Sequence, residues 1–416
     1  MPGGLSAAAP APDPLQARID GHLDARLERG ARRPVALGLS GGSDSLALLH
    51  LAAGWCARAG RPLLALTVDH GLSPESAGWT ARAGRMAEEA GAAWRGLAWS
   101  GPKPATGVSA AARRARHALL AQAAREAGAA AVLLAHTADD RAEEAALRAG
   151  DAPAIGRLRA WAPSPVWPEG RGVFLLRPLL ETGRGELRTW LAARGLTWLE
   201  DPANADARFA RARVRAAGPH PPAPSSVEPP PGFGRAEADG RVRLPRAALL
   251  DGAPAARRSL RAALACAAGG EAAVRGEALD RLLARVAAEV SGAATLGGAR
   301  LLWEADEALA VREPGRRPPP DLPLSPHSPA VWDGRFEAGA AEGGWSVGAA
   351  RGRLARLSTT DRPTLAALPP AARSAHPVLL RAAEVRLADP AVRLSPLAPA
   401  RFDAAVGRVR READLA

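Results

Sequence analysis

The segment from 40 to 45 combines glycines with hydroxyl side chains in a pattern that suits phosphate binding. An apolar run at 35–39 precedes it and a helical stretch follows, which predicts a strand, a turn and a helix start. Glycines let the backbone approach an anion closely, and the N–H groups at a helix start carry partial positive charge. We therefore expect a phosphate cradle made of Ser40, Gly41, Gly42, Ser43, Asp44 and Ser45.

This cradle differs from two common nucleotide-binding loops. A Walker A loop needs a lysine next to its hydroxyl residue, whereas Lys103 is the only lysine of the chain. The glycine spacing is not GxGxxG either. Considered alone, the segment is also compatible with an ordinary Ser/Gly turn in which a serine or aspartate caps a helix, and with Asp44 as an acidic residue favoured by the helix dipole.

Two further polar clusters follow strand-like apolar runs. Asp69 and His70 come directly after the run 63–68, and the second cluster, after the run 131–135, contains His136, Asp139, Asp140 and Glu143. The carboxyl ends of parallel strands border one crevice, so we expect both clusters beside the cradle. Each is open to a structural interpretation by itself, as a buried histidine or a helix cap. Together they predict one site.

The elements that must position these residues alternate along the chain. The three apolar runs have the character of strands buried on both faces by crossover helices. Between and after them we predict helices at 44–59, 74–90, 109–127 and 138–147. This rhythm predicts an α/β fold with a doubly wound parallel sheet.

The order SGGSDS, VDHGL and AHTADDxAE resembles the N-type (PP-loop) ATP pyrophosphatases, and more closely the tRNA(Ile)-lysidine synthetase family. Other motifs of that family are also similar to segments of this chain: ARxxRY to 112–117, with His117 in place of tyrosine; RPLL to 177–180; and WxxDPxNxDxxFxRxxxR to 198–215. The resemblance covers about residues 33–215. Arg141 and Glu144 stand where the family usually has glutamine and threonine, and its RG[ST]G run is absent from 148–151.

The resemblance implies a two-step ligation that consumes ATP as a substrate. The wobble cytidine of an isoleucine tRNA with a CAU anticodon attacks the α-phosphate, and pyrophosphate leaves. The ε-amine of free lysine then attacks the activated ring carbon, and AMP leaves. Such chemistry favours Mg²⁺ on oxygen ligands, for which Asp44 and Asp140 are the candidates.

The resemblance also suggests roles for the remaining candidates. Asp139, Asp140 or Glu143, aided by His136, would recognise and deprotonate the lysine ammonium. Asp69 and His70 would lie near the adenosine or the target base. Arg113 and Arg116, which share a helix face, are candidates to bind the nucleotide phosphates. Three arginines that alternate along an extended chain are candidates to bind tRNA phosphates: Arg211, Arg213 and Arg215. A solvated basic face is the alternative for Arg113 and Arg116.

Composition divides the chain into predicted segments. We expect a disordered N-terminus at 1–14, an ATP-binding catalytic domain at 15–218, and Pro-rich linkers at 219–235 and 314–330. Between the linkers, 236–313 is expected to form a small, mainly helical tRNA-binding domain, with helices at 253–268 and 276–290 and a strand pair at 300–303 and 308–311. The last segment, 331–416, is expected to be a small domain of α+β or irregular character.

Charge and cysteine content limit the function classes. The net charge of +12 favours a polyanionic partner such as tRNA, although the bias of the whole sequence toward Ala, Gly, Pro and Arg explains it equally well. Cys56 and Cys266 form neither a zinc motif nor a disulfide framework. The sequence has no apolar run long enough for a membrane span and no signal-peptide pattern, so we expect a cytoplasmic protein. A homo-oligomer is compatible with it.

Three other functions remain open at this point. A tRNA-thiolating enzyme with the same loop would need reactive cysteines or an iron–sulfur site, and the two cysteines offer no paired arrangement. An ATP amidoligase would need an ammonia supply. A nucleic-acid-binding protein with a vestigial nucleotide loop is the alternative outside the enzymes.

Overall fold

The computed structural model describes residues 13–149, 158–200, 214, 218, 230–270, 274, 276–313, 315 and 318–415, without the side chains of 148 and 149. Contacts divide the chain into two compact units. The first comprises Met1–Pro165, Val173–Val227 and Arg410–Ala416, and the second comprises Val166–Gly172 and Glu228–Val409. Within the described ranges, no helix has the length and apolar character needed to cross a membrane.

A six-stranded sheet forms the centre of the first unit. Its strands are β1 (Val35–Gly38), β2 (Leu63–Asp69), β3 (Ala93–Ala98), β4 (Ala131–Leu133), β5 (Trp161–Pro163) and β6 (Phe174–Leu176), in the order β3-β2-β1-β4-β6-β5. All neighbours pair in parallel except β5, which runs antiparallel to β6. The sequence thus correctly predicted the parallel sheet and its three central strands, β1, β2 and β4, of which β1 and β4 are wholly buried.

Six α-helices of this unit lie wholly within the described ranges. They are α1 (Pro14–Asp24), α2 (Ser43–Ala59), α3 (Ser76–Glu89), α4 (Val108–Glu126), α5 (Ala138–Ala149) and α6 (Arg184–Ala192). The four predicted helices are α2 to α5, and their ends agree within two residues. Of the segment 1–14 predicted to be disordered, only 13 and 14 are described. Asp13 caps α1 by accepting the N–H groups of Leu15 and Gln16, and Pro14 begins the helix.

The second unit contains a five-stranded antiparallel sheet with helices packed on it. Its strands are β7 (Arg235–Ala236), β8 (Val242–Pro245), β9 (Gly292–Leu296), β10 (Ala299–Trp303) and β11 (Glu307–Arg312), and its helices are α7 (Arg246–Leu250), α8 (Pro254–Ala268) and α9 (Gly276–Ala288). The predicted helices and the predicted strand pair, β10 and β11, are present. The sheet extends beyond that pair because β8 and β9 add to its two sides.

The rest of the second unit is α+β, as expected, and mainly antiparallel sheet. One sheet has the order β12-β15-β16-β17 and the other β13-β14-β18; these strands are β12 (Leu322–Pro323), β13 (Ala330–Trp332), β14 (Phe336–Ala340), β15 (Ser346–Ala349), β16 (Pro377–Arg381), β17 (Glu384–Arg386) and β18 (Val392–Pro396). Its helices are α10 (Asp361–Ala366), α11 (Pro370–Arg373) and α12 (Ala398–Val406).

Two of the predicted segment boundaries fall inside ordered structure. The stretch 314–330, expected to be a linker, contains β12 and the first residue of β13; β12 lies at a sheet edge, where proline is tolerated. Phe402 and Val406 of α12 are buried in the same core as Leu260 and Leu264 of α8. The stretches 236–313 and 331–416, expected to be two domains, therefore share one compact unit.

The end of the chain is fixed to the first unit by a buried ion pair. The two carboxylate oxygens of Glu412 accept hydrogen bonds from the guanidinium of Arg61 at 2.7 and 3.0 Å, and both side chains are almost fully buried. Arg33 adds a contact at 3.1 Å, and the backbone N–H of Glu28 donates to Glu412 at 2.9 Å. Every oxygen of this carboxylate therefore has a partner.

We expect Glu412→Ala to lower the free energy of unfolding by about 3–5 kcal/mol, because it leaves the charge of Arg61 buried without its partner. The matched control is Glu126→Ala, which removes an exposed pair with Arg95 at 2.8 Å and is expected to cost less than about 1 kcal/mol. Urea unfolding followed by circular dichroism measures both. Equal effects of the two substitutions would contradict this assignment.

Candidate active site

The predicted phosphate cradle is a turn between β1 and α2 that its own hydroxyl groups hold in shape. The hydroxyl oxygens of Ser40 and Ser45 lie 3.0 Å apart, and Ser45 Oγ also donates to the carbonyl of Gly42 at 3.0 Å. Ser43 and Ser45 are buried, whereas Ser40 is exposed. The turn is thus pre-organised, with the first backbone N–H groups of α2 at its base, where an anion is favoured.

Gly41 has a backbone conformation and an environment that exclude larger residues. Its φ is +83°, and a Cβ atom there would lie 2.5 Å from Cδ1 of Leu199. The carbonyl of Gly41 also accepts the N–H of Leu199 at 2.9 Å. The segment that follows α6 therefore packs directly on the cradle, and glycine is required at this position for two separate reasons.

We expect Gly41→Ala to lower the rate of ATP-dependent adenylation by at least about tenfold, since positive φ costs an alanine about 1–3 kcal/mol and the loop will shift to relieve it. The double variant Gly41→Ala with Leu199→Ala separates the two reasons, because it removes the steric overlap and keeps the backbone strain. Activity fully restored in the double variant would show that only packing against Leu199 matters. Normal activity in the single variant would contradict both reasons.

A group of carboxylates next to the cradle surrounds one arginine. Arg184, the first residue of α6, donates through Nε to Oδ2 of Asp44 at 3.0 Å. Its two terminal nitrogens lie 3.8 Å from Oδ1 of Asp140 and 3.6 Å from Oε1 of Glu143. Burial lowers the pKa of Arg184, but the carboxylates, Asp44 foremost, more than offset this and hold its pKa above the usual value. The structure thus brings three of the predicted residues together.

Local capping explains why two of the predicted aspartates point where they do. Oδ2 of Asp140 accepts the backbone N–H of Thr137 at 2.8 Å and lies 3.0 Å from its hydroxyl oxygen, while Thr137 Oγ1 accepts the N–H of Asp140; this is a capping box at the start of α5. Oδ2 of Asp139 accepts the N–H of Arg184 at 2.8 Å and so holds the start of α6. The helix-cap interpretation is therefore correct for these two oxygens, and Oδ1 of Asp140 faces the site as well.

Near the end of β6, by contrast, the side chains of the site are basic. Burial, followed by the charge of Arg113, lowers the pKa of Arg177 to about 10, and Arg116 adds to this effect. Arg177 Nε donates to Nδ1 of His136 at 3.1 Å. Because arginine cannot accept, Nδ1 of His136 carries no proton and its neutral ring is protonated at Nε2. His136 is therefore oriented by Arg177, a contact that sequence reasoning did not foresee.

His117, which stands in place of the family's tyrosine, is buried among these arginines. Burial, then Arg116 and Arg113, lower its pKa to about 3. The ring is therefore neutral at physiological pH. Arg113 and Arg116, the predicted nucleotide-binding arginines, lower the pKa of both His117 and Arg177. They therefore belong to this basic side of the site.

Asp69 is the last residue of β2 and His70 follows it, where the chain makes a local turn. Asp69 Oδ1 accepts the N–H of Gly71 at 2.8 Å. His70 lies edge-on to Trp99 with ring centroids 6.1 Å apart, and Lys103 Nζ lies 3.9 Å from the centroid of that tryptophan ring. Burial, then Arg116, lower the pKa of His70. Arg116 thus links this corner electrostatically to the basic side.

Three predicted tRNA-binding residues, Arg211, Arg213 and Arg215, lie outside the described residues. Two residues of the site were absent from our candidates. Arg177 is the arginine of the RPLL motif, for which the sequence predicted no role. Arg184 carried only a weak signal: a cation at a helix start opposes the helix dipole, which indicates acidic neighbours that compensate for it.

The departures at 141 and 144 have structural partners. Arg141 lies 3.4 Å from the carbonyl oxygen of Leu180, to which it donates a long hydrogen bond. Glu144 is buried, and its Oε2 accepts the N–H of Leu158 at 2.9 Å. Both side chains therefore contact backbone that follows α5 along the chain.

The carboxylates around Arg184 suit a metal ion that is also bound by substrate phosphates and waters. Across the described ranges, no three His, Cys, Asp or Glu side chains are arranged to hold a metal ion. Asp44 and Asp140 nevertheless present carboxylate oxygens to one common cation, the guanidinium of Arg184. Mg²⁺ is commonly bound by one or two carboxylates together with substrate phosphates and waters, and these two aspartates fit that pattern.

The cysteines do not fit thiol chemistry. Both are buried, and burial raises the pKa of Cys56 to about 11 and that of Cys266 to about 12. Neither forms a thiolate near neutral pH, which is the reactive species. The arrangement of this chain therefore disfavours the thiolation alternative.

Known proteins resemble this chain over the residues of the site and beyond them. A family model described as a PP-loop domain matches residues 15–218. A tRNA(Ile)-lysidine synthase from Caulobacter vibrioides is 48% identical over 406 residues, which cover 94% of this chain and 97% of that protein. The protein of the same name from Rhizobium meliloti is 34% identical over 73% of this chain and 72% of its own length. That from Hyphomonas neptunium is 43% identical over 49% of this chain and 55% of its own length.

The residues matched by the PP-loop family model include the strand, loop and helix that form the cradle. The chain belongs to the tRNA(Ile)-lysidine synthase family of PP-loop proteins.

Proposed function

We propose that this chain ligates lysine to the wobble cytidine of isoleucine tRNA with a CAU anticodon. The products are lysidine, AMP and pyrophosphate. The observation that carries the proposal is the joint position of a phosphate cradle and an acidic cluster, connected through Asp44 and Arg184. The cradle suits the pyrophosphate that leaves in the first step. The acidic cluster suits the lysine ammonium that enters in the second.

In the first step the base oxygen of cytidine attacks the α-phosphate of ATP, and the bond to the β-phosphate breaks. Negative charge grows on the departing pyrophosphate. The N–H groups at the start of α2 are placed to stabilise that charge, and a pre-organised loop does so without reorganisation. Asp44 would hold Mg²⁺ if it accompanies ATP, with Asp140 as a second ligand until lysine takes its place. The charge of the ion would further neutralise the phosphates.

The basic side of the site suits the nucleotide and the tRNA backbone. Arg113 and Arg116 lie in the first half of α4, and their charges act on both His117 and Arg177. Guanidinium groups bind phosphate oxygens through paired hydrogen bonds. We propose that these two arginines contact the α-phosphate or a tRNA phosphate beside it, and that Asp69 and His70 border the adenosine or the cytidine.

In the second step the ε-amine of lysine attacks the activated ring carbon, and AMP leaves. The lysine arrives as an ammonium and must lose a proton before it is a nucleophile. Asp139 and Asp140 each commit one oxygen to a helix-start N–H. We therefore assign proton acceptance to Glu143 and ammonium binding to Asp140 together with Glu143.

Arg211, Arg213 and Arg215 are proposed to bind tRNA phosphates. We expect the double variant Arg211→Ala with Arg215→Ala to bind tRNA more weakly and to reduce the slope of log K against log salt by about one to two, because each phosphate contact releases a counterion. Filter binding at four salt concentrations measures the slope. An unchanged slope would show that these side chains do not face phosphate.

Mass analysis of tRNA nucleosides tests the function. Isoleucine tRNA transcript incubated with the protein, ATP and lysine is expected to yield a nucleoside heavier than cytidine by one lysine less one water. A sulfur-containing product would support thiolation instead. No change in the nucleosides, with intact tRNA binding, would indicate a binding protein with a vestigial loop.

A further inference from the structure

Arg184 occupies an unusual place for a cation. It is the first residue of α6, where the helix dipole disfavours positive charge. Its side chain is nevertheless mostly buried, and each of its three guanidinium nitrogens faces a different carboxylate. The guanidinium of Arg184 therefore contacts the same carboxylates that an incoming ammonium would contact.

The lengths of these contacts indicate an exchangeable arrangement. Only the contact to Asp44, at 3.0 Å, has hydrogen-bond length, while those to Asp140 and Glu143, at 3.8 and 3.6 Å, exceed it. The structural arginine of this unit, Arg61, contrasts with it through paired bonds of 2.7 and 3.0 Å to one carboxylate. Arg184 is tied mainly to the cradle, through Asp44, and only loosely to the two carboxylates assigned to lysine.

We propose that Arg184 is a positioning residue that competes with the lysine ammonium for Asp140 and Glu143 and yields when ATP binds, so that ATP promotes lysine binding. The inference rests on the proposed function, since it takes lysine as the second substrate. A guanidinium bonded to Asp44 already lies at the cradle, and a triphosphate there attracts it more strongly than two distant carboxylates do. Its withdrawal removes one cation that competes with the ammonium for both carboxylates.

Calorimetric titration of lysine into the full chain tests this proposal, with and without α,β-methylene-ATP, a nucleotide that resists cleavage between its α and β phosphates. We expect the nucleotide to tighten lysine binding to the wild-type chain about tenfold, within the usual range of coupling between sites. In Arg184→Gln, lysine should bind about tenfold more tightly without nucleotide than it does to wild type. The nucleotide should then have little further effect.

Arg188→Gln is the matched control, because Arg188 lies one turn further along α6 and contacts Glu200 at the surface, at 3.4 Å. It should retain the wild-type coupling. Arg184→Lys provides a second variant with the charge retained. It should bind lysine with intermediate affinity, because its compact ammonium lacks the three separate nitrogens through which the guanidinium reaches three carboxylates. A merely structural arginine predicts weaker lysine binding on its removal, which is the opposite sign.

Lysine binding to Arg184→Gln that is unchanged, weaker or undetectable without nucleotide would overturn the proposal, as would coupling that persists in that variant. The nucleoside assay separates this failure from that of the proposed function. A wild-type chain that forms lysidine, combined with unaltered coupling in the variant, overturns the role of Arg184 alone. A wild-type chain that forms no lysidine overturns the proposed function and this inference with it.

Discussion

Ser45→Ala is expected to slow the transfer of AMP to tRNA by about 100- to 1,000-fold. Ser45 Oγ accepts the backbone N–H of Ser40, donates to the carbonyl of Gly42 and lies 3.0 Å from the hydroxyl of Ser40. The alanine variant removes all three contacts, so the turn loses the hydrogen bonds that aim its N–H groups. Loss of a single pre-organised donor has effects of this size in other sites that stabilise anions. Rapid-quench measurement of AMP-labelled tRNA gives the rate.

The expected loss is specific to the chemical step. Binding of tRNA should be unchanged, since the cradle is not assigned to the tRNA backbone. Ser358→Ala is the matched control: that hydroxyl also accepts a backbone N–H, from Asp361 at 3.0 Å, but it belongs to the second unit. A rate for Ser45→Ala within a factor of three of wild type would contradict the assignment of the cradle.

Glu143→Gln is expected to leave AMP transfer to tRNA within a few-fold of wild type and to slow the attack of lysine by at least about 100-fold. The substitution retains the size of the side chain and removes its capacity to accept a proton, and a positioned base contributes about 100- to 10,000-fold. Adenylated tRNA should therefore accumulate when ATP and lysine are both present. Gel separation of labelled tRNA under acid conditions detects that intermediate.

The control for this experiment is Glu186→Gln, which removes an exposed carboxylate that pairs with Arg18 at 2.6 Å on the same unit. It should not change either step. If Glu143→Gln instead blocks AMP transfer, Glu143 serves the nucleotide and the proton acceptor must be sought at Asp139 or Asp140. Full activity of Glu143→Gln in both steps would contradict a role for this carboxylate in the chemistry.

The elements that build the site could be predicted from sequence because their signals are local. Wholly buried strands such as β1 and β4 give continuous apolar runs, and the glycines at 41 and 42 interrupt the run before α2. The three polar clusters then follow from one rule, that parallel strands end at the same edge. Asp44, Asp140 and Glu143 were brought together in this way.

The strand and the helix that the sequence did not predict, β3 and α6, have weaker local signals. β3 is an edge strand with a mainly exposed pattern, so it lacks a continuous apolar run. α6 begins with Gly183 as a cap that offers no side-chain hydrogen bond. Arg184 was missed for a related reason: its partners lie about 40 and 140 residues away, and only the packed sheet brings them to it.

The roles of capping residues also required the structure. Asp139 and Asp140 are adjacent in sequence and were interchangeable there. In the folded chain Asp140 closes a capping box on α5, whereas Asp139 holds the start of α6. That difference leaves Glu143 as the carboxylate to which we assign proton acceptance.

Transfer of label from α-³²P-ATP to isoleucine tRNA, without lysine and then with it, tests the central claim most directly. We predict that labelled tRNA forms without lysine and that added lysine releases the label as AMP, in equal amount to the lysidine formed. Label from γ-³²P-ATP should appear only in pyrophosphate. An absence of label on tRNA, or release of inorganic phosphate in place of pyrophosphate, would contradict the account.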